Sequence, residues 1–300
     1  MIEEKLAVII ILNYNSKEDT LVCLNSITKL NYSPFEIVVV DNGSIDSSAA
    51  AIKDNYPNIH LIKSSINLGA AGGRNLAIKY TEEKFDYDYL LFLDNDIIIE
   101  INTLSEMVES INSKENIGII SPKCYVMNKP GIIKYAGGMS VNFFTGSIKD
   151  IGGGQIDSGQ FEEKKFISAC GGLCLVHKEV INKIKGFDER FNPYGWEDVD
   201  FSIRAGKSGY KILYAPKAVI YHKGGKIGRG KTVAEYESSK VKNYFYFFLK
   251  HANLFQMFVL SIILPFKLIL LFFQEVFKRE FDAIISQLRG FLSLFKSESK

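Results

Sequence analysis

Short, unbroken apolar runs alternate with amphipathic stretches through the first half of the chain. Residues 6–12 form a β-branched run with no polar alternation, the pattern of a strand buried on both faces. Residues 36–40, 60–63 and 89–93 repeat it. Between these runs, helical spacing appears at 17–29, 46–55, 74–81 and 102–113, with a glycine-rich loop at 69–73 ahead of the third helix. Strands alternating with such helices predict βαβ units and an α/β fold with a mostly parallel, Rossmann-like sheet flanked by helices. Right-handed crossovers then gather the carboxyl ends of the strands along one edge, where ligands bind in such sheets.

The second half is less regular. Residues 117–126 read as a further strand, and 132–166, rich in Gly, Ser and Asp, as hairpins and loops folding over the sheet edge. An apolar stretch at 166–177 is interrupted by Gly171 and Gly172. A helix is expected at 197–207, then two short extended pieces at 210–222 hinged at Pro216.

From about residue 240 the composition shifts. Tyr244-Phe245-Tyr246-Phe247-Phe248 leads into 254–273, broken only by Gln256, Ser261, Pro265 and Lys267. About 20 apolar residues suffice to cross a bilayer of ~30 Å. A central lysine costs ~2.5–3.5 kcal/mol on insertion, however, and Pro265 would kink the helix. Lys250, His251, Lys278, Arg279 and Arg289 flank the stretch, which suits anionic lipid. The expectation is a hydrophobic helical tail, 241–300, in monotopic or re-entrant contact with the inner face of the cell membrane. A buried helical pair is the plain alternative.

A chain of 300 residues holds one large domain with an appendage. The division expected is 1–240, with a nucleotide-binding half at 1–115 and an acceptor and catalytic half at 116–240, followed by the tail. A net charge of +2 argues against nucleic-acid binding by bulk electrostatics. Cys23, Cys124, Cys170 and Cys174 include no CxxC pair, so they read as reduced thiols in a cytoplasmic setting rather than a zinc site. The first residues lack a secretory signal pattern.

Chemistry concentrates at the predicted strand ends. These are Asn13-Tyr14-Asn15-Ser16, Asp41-Asn42-Gly43-Ser44, the run from Asn67 through Gly69 to Arg74, and Asp94-Asn95-Asp96. No GxGxxG follows the first strand, which argues against a nicotinamide enzyme. Two carboxylates at a sheet edge repel each other unless a cation sits between them. Farther on, Trp196-Glu197-Asp198 sets two acids at a helix start, where the helix dipole tolerates negative charge.

The ordered set LNYNS, VVVDNGSIDSS, NLGAAGGRN, LFLDND, CGGLCLV, FDERFNPYGWEDVDFSIRAGKSGYK and IYHKGG resembles the family 2 glycosyltransferases, inverting enzymes of the GT-A fold, and within them the rhamnosyltransferase-like branch. The resemblance runs over about 8–225. It implies that Asp41, with Asn13 and Asn15, contacts the nucleoside of a dTDP-, UDP- or GDP-linked sugar donor. Asn67, Gly69 and Arg74 would approach its base or diphosphate. Asp94-Asn95-Asp96 matches the DxD element, with Asp94 on the ribose or outer metal shell and Asp96 ligating Mn²⁺ or Mg²⁺, joined by His222. Asp198 would be the base and Glu197 would position the acceptor. Gly171, Gly172 and Trp196 would line the cleft for a glycan or lipid-linked acceptor, and 223–230 would close as a lid.

Two rivals stand beside this reading. A catalytically silent nucleotide-sugar-binding scaffold subunit of a glycan assembly complex would need no base. A nucleotidyltransferase would want a glycine-rich, lysine-containing loop after the first strand, where this chain has Asn13-Tyr14-Asn15.

Overall fold

The computed structural model describes residues 5–113, 116–224 and 233–278. In chain order, β1 (Ala7–Asn13), α1 (Lys17–Ile27), β2 (Phe35–Asn42), α2 (Ser48–Asn55), β3 (His60–Ser64), α3 (Gly69–Lys84) and β4 (Tyr89–Asp94) make the alternating half. There follow β5 (Ile97–Ile99), α4 (Thr103–Ile111), β6 (Ile117–Val126), β7 (Ile133–Ala136), β8 (Met139–Asn142), β9 (Ser147–Asp150), β10 (Lys165–Ile167) and β11 (Cys174–His177). The remainder is α5 (Lys178–Ile184), α6 (Glu197–Lys207), β12 (Lys211–His222), α7 (Val233–His251) and α8 (Leu254–Lys278).

The main sheet runs β10-β12-β6-β11-β4-β1-β2-β3, with β5 on β12 and β7 on β6, and β8 and β9 pair separately. The pairs β4-β1, β1-β2, β2-β3 and β6-β12 are parallel, as expected, while β11 enters antiparallel between β4 and β6. Period-two alternation explains why β1 is apolar at every position from 7 to 11. Ile9 and Ile11 face α1, packing with Cys23, Leu24 and Ile27. Val8 and Ile10 face α3, packing with Ala71, Ala77 and Ile78. Burying each such side chain contributes about 1.5–3 kcal/mol.

Three expectations need correction. The helix placed at 74–81 begins one turn earlier, at Gly69, so the glycine run lies inside it. Gly69 starts the turn at φ +77°, and a Cβ there would come 2.4 Å from Asn192 Oδ1. Close packing therefore overrides the poor helix propensity of glycine. The two pieces at 210–222 are one strand of 12 residues whose register breaks between Ala215 and Val219, around Pro216. β5, only 3 residues long, was not foreseen.

Position 240 falls within α7, which packs with α8 onto the helix bearing the acidic pair. Phe247, Phe248 and Leu260 form one cluster with Phe191 and Val199. A wholly buried Asp200 completes the joint. Its Oδ1 lies 2.8 Å from His251 Nε2 and 2.5 Å from Lys250 Nζ, and its Oδ2 accepts from Arg204 Nε at 2.7 Å. Burial pushes the Asp200 carboxyl up, but the hydrogen bonds from His251 and Lys250 and the charge of Arg204 outweigh it and hold it below the usual carboxylate range. Among the described residues no helix is long and apolar enough to cross a membrane. From residue 225 the expected lid lies outside the described residues, as do Arg279 and Arg289. All four cysteines are buried and unpaired.

Candidate active site

Four strand ends meet at one edge of the sheet, and a polar web ties them together. Asp41 closes β2 and is almost fully buried. Asn13 Nδ2 donates to its Oδ1 at 2.9 Å and also reaches Ser48 Oγ at 2.9 Å. Asn13 Oδ1 accepts from Thr20 Oγ1 at 2.8 Å and from Asn95 Nδ2 at 3.4 Å. The Asn13 amide is thus wholly buried and its hydrogen-bonding capacity is spent inside the protein. It holds Asp41 from within the protein.

Asn15 stands at φ +48°, and its Oδ1 accepts from Ile45 N at 2.8 Å, shaping the loop beside Asp41. Asn67 Oδ1 accepts from Gly69 N at 2.9 Å and so sets the start of α3. Asn42, which sequence reasoning missed as an organiser, donates to Asn67 Oδ1 and to the Gly69 carbonyl, each at 3.1 Å.

Arg74 is the hub of the site. Its buried guanidinium gives Nη2 to Asp94 Oδ1 and Nη1 to Glu197 Oε1, each at 3.2 Å, and lies over the Phe187 ring. Burial lowers its proton affinity, but the charges of Asp94, Glu197 and Asp198 overcome that and raise it. A Cβ at position 172 would sit 2.5 Å from Arg74 Nη2, so Gly172 is the residue that admits this fork. Neighbouring Gly171 lies against the Tyr135 ring.

Glu197 and Asp198 open α6. Glu197 is buried with both oxygens engaged, Oε1 by Arg74 and Oε2 by the Gly195 amide at 2.8 Å. Asp198 remains partly exposed, with Oδ1 accepting from Val199 N at 2.8 Å. Desolvation pushes its carboxyl up to about 7; Glu197 adds to the rise, while Arg74 opposes it. The helix start, which tolerates negative charge, is outweighed by burial together with Glu197. Trp196, immediately before, has φ +70°, costly for a bulky residue, by about 1–3 kcal/mol. Its indole Nε1 donates to the Lys240 carbonyl at 2.9 Å, and its ring meets Tyr244 edge-on, so it packs on α7.

At the far side, His222 ends β12. Ligand atoms of Asp94, Asp96 and His222 all lie within 4.8 Å of one another. His222 Nε2 sits 2.9 Å from Asp96 Oδ1 and 3.9 Å from Asp94 Oδ2. Burial pushes the Asp96 carboxyl up, but His222 and Lys134 outweigh it and the net shift is downward. Two carboxylates and an imidazole, partly exposed at a sheet edge, fit a divalent cation that takes oxygen and nitrogen donors. The β5-β12 pairing, Ile97 against His222, delivers the imidazole to the Asp96 turn. Lys134 Nζ contacts His222 Nδ1; a lone lysine within a loop-rich stretch carried no signal in the sequence.

The site is thus an acid-rich edge on a mixed α/β sheet, with a buried arginine linking it to an acidic helix start. The chain belongs to glycosyl transferase family 2, whose profile matches residues 8–184. It is a glycosyltransferase of the GT-A fold. A second profile, the N-terminal domain of galactosyltransferase, matches 157–231. The chain is 23% identical over 225 residues to the N-acetylglucosaminyl-diphospho-decaprenol L-rhamnosyltransferase of Mycobacterium tuberculosis, covering 69% of this chain and 72% of that one. It is 30% identical over 206 residues to the low-salt glycan biosynthesis hexosyltransferase Agl10 of Haloferax volcanii, covering 68% of this chain and 62% of the relative.

Among solved structures, the mannosyltransferase PcManGT of Pyrobaculum calidifontis, in complex with GDP-Man and Mn²⁺, aligns at TM-score 0.59 and 14% identity. That alignment spans 99% of this chain and 89% of PcManGT. GalNAc-T7 with UDP, GalNAc and Mn²⁺ aligns at TM-score 0.64 and 19% identity over 82% of this chain, which spans about half (48%) of that chain. At these identities the structural likeness is one of fold.

Proposed function

We propose that the protein is an inverting, metal-dependent glycosyltransferase that moves a sugar from a nucleoside diphosphate to a hydroxyl of a lipid-linked glycan. The observation that carries this reading is the Arg74 bridge, which ties the Asp94-Asn95-Asp96 turn to the helix start bearing Asp198. A donor held at one end would meet a base at the other.

In this reading Asp41, fixed by Asn13, accepts a hydrogen bond from the nucleoside. Asp94, Asp96 and His222 would hold Mn²⁺ or Mg²⁺, and the cation would supply positive charge beside the diphosphate. Asp198 takes the proton of the acceptor hydroxyl as that oxygen forms its bond to the anomeric carbon. The bond from that carbon to the diphosphate oxygen breaks on the opposite face, and the nucleoside diphosphate leaves with the electron pair. Such a single displacement inverts the configuration. Glu197, with both oxygens engaged, keeps Arg74 and the Gly195 turn in place and so positions the base.

The acceptor class is supported by the rhamnosyltransferase, whose name specifies a diphospho-decaprenol acceptor, and by an Escherichia coli glucosyltransferase that acts on a diphosphoundecaprenol. Rhamnose from a dTDP donor is the finer reading on the same ground. A membrane contact at the inner face fits the α8 surface, where Leu254, Phe255, Phe258, Ile262 and Phe266 are exposed at helical spacing. Phe144, at the β8-β9 turn, lies edge-on to Phe255 and extends that surface. The scaffold rival is disfavoured because a binder needs no desolvated carboxylate at Asp198.

The test is nucleoside diphosphate release from UDP-, GDP- and dTDP-sugars with and without Mn²⁺ or Mg²⁺. Metal-dependent release from one donor supports transfer. Pyrophosphate release would instead indicate a nucleotidyltransferase, and donor binding without turnover, with or without acceptor lipid, would indicate a scaffold.

A further inference from the structure

A groove of about 410 Å³ lies between the last turn of α6, β10 and the start of β12. Its walls are apolar, formed by Phe166, Ile167, Ile203 and Ile212, and Lys207 and Lys211 line it as well. Phe166 is half exposed there, a large apolar ring open to water on the edge strand of the sheet. Lys211 Nζ stands 5.3 Å from the centroid of that ring. Lys207 Nζ meets His251, at 3.3 Å from its carbonyl and 3.2 Å from Nδ1. The charge of Glu179 reaches Tyr210, also in the lining. Among the described residues, however, no carboxylate pairs with either ammonium.

Gly206 also lines the groove, from inside α6. Among the described glycines it alone combines an ordinary φ with no atom within 4 Å of an added Cβ. Glycine is a poor helix former, and neither the backbone nor the packing demands one at this position. What a side chain at 206 would take away is room in the groove. Lys211 opens β12 and His222 closes it, so roughly 35 Å of strand separate the groove from the transfer edge. The occupant is therefore neither the donor nor the reacting end of the acceptor. Two cations without carboxylate partners over apolar walls select an amphipathic anion. The neighbouring surface says which one. His251 is the last residue of α7, and α8 begins three residues later with Leu254 at 87% and Phe255 at 66% exposure. The groove lies beside the first turn of that apolar face.

We propose that this groove binds an anionic phospholipid, with the headgroup phosphate on Lys207 and Lys211 and the upper acyl chain against Phe166, Ile203 and Ile212. The choice of a membrane lipid as occupant rests on the membrane contact read for α8. The groove gives the protein a second point of attachment, at the opposite edge of the sheet from the transfer site, and with it a preference for anionic bilayers.

The test uses dihexanoylphosphatidylglycerol below its micelle concentration, so that the groove is read without a membrane, and follows binding by calorimetry. Dihexanoylphosphatidylcholine and chain-free glycerophosphoglycerol are the comparison probes, and thermal melting checks that each variant is folded. Wild type should bind the anionic lipid and hold the zwitterionic one about 5–25-fold more weakly, the worth of one to two lysines. Lys211→Gln should lose about fivefold, and Lys207→Arg should keep the affinity. Gly206→Leu should abolish binding without lowering the melting temperature. Equal affinity for the two lipids, equal affinity for glycerophosphoglycerol, or no binding of any probe would each overturn the proposal. Phe258→Glu separates this inference from the reading of α8. It should lower co-sedimentation with phosphatidylglycerol vesicles and leave dihexanoylphosphatidylglycerol affinity unchanged; loss of both would overturn the separate site. Wild type that binds the short-chain lipid yet fails to sediment with vesicles would uphold the groove and strike down the α8 contact.

Discussion

Arg74 Nη1 lies 3.2 Å from Glu197 Oε1, joining two buried charges whose positions are 123 residues apart in the chain. Removing one partner of such a pair strands the other without solvent. Arg74→Ala should therefore cost about 3–5 kcal/mol, read from the denaturant midpoint. Pairing it with Glu197→Gln should recover part of the loss, since the buried Glu197 carboxylate is then no longer left uncompensated; a double variant as unstable as the sum of the two single variants would mean that the two residues are not coupled.

Asp198→Asn keeps the shape of the side chain and removes its ability to take a proton. Transfer should fall by about 10²–10⁴-fold, while calorimetric donor affinity stays within a few-fold of wild type. Normal turnover in the variant would take Asp198 out of the mechanism.

The carboxyl of Asp198 is pushed up to about 7 by burial and Glu197. Below that pH it keeps its proton and cannot accept another; above it, the carboxylate is free to act. The value of kcat/KM should thus rise with pH and level off above about 7. Arg74 opposes the rise in this pKa, so an Arg74 variant retaining activity should have its limb displaced to higher pH. A flat profile between pH 5 and 8 would contradict this assignment.

Asp96→Ala removes one carboxylate of the three-residue cluster. Mn²⁺ affinity in the presence of nucleotide should drop by at least about 10–100-fold, measured by titration. An unchanged isotherm would move the cation elsewhere.

Phe255 and Phe258 stand outward on α8 while Leu260 is buried against the helix behind. Replacing either Phe with Glu should weaken co-sedimentation with anionic vesicles by about tenfold or more, since each ring is worth about 1.5–3 kcal/mol when taken out of water. Unaltered partitioning of the double variant would show that this face does not meet lipid.

The parallel half of the sheet was legible because each strand is a pure apolar run ending in polar residues, as at Asp41 and Asp94. That pattern also located the edge where the candidate residues gather. What escaped has physical reasons. β5 is too short to show periodicity, and β12 carries a proline that reads as a break until its pairing with β6 is seen to resume at Val219. The start of α3 was misplaced because glycine is a poor helix former in isolation, whereas here Asn192 permits nothing larger. Asn13 looked like a ligand contact because a strand-end amide is chemically suited to one. Only its bonding to Asp41, Ser44, Ser48, Thr20 and Asn95 marks it as support. Lys134 gave no hint, since its contact with His222 spans 88 residues.

Trp196 is the only tryptophan in the chain, and it is held in a left-handed backbone conformation directly before Glu197 and Asp198, with its indole on α7. All ultraviolet emission excited at the red edge of protein absorption therefore originates one residue from the acidic pair. The protein carries its own fluorophore at the junction between the helix bearing Glu197 and Asp198 and the helix leading to the tail, so any ligand that disturbs this junction can be titrated by its intensity and wavelength without a label.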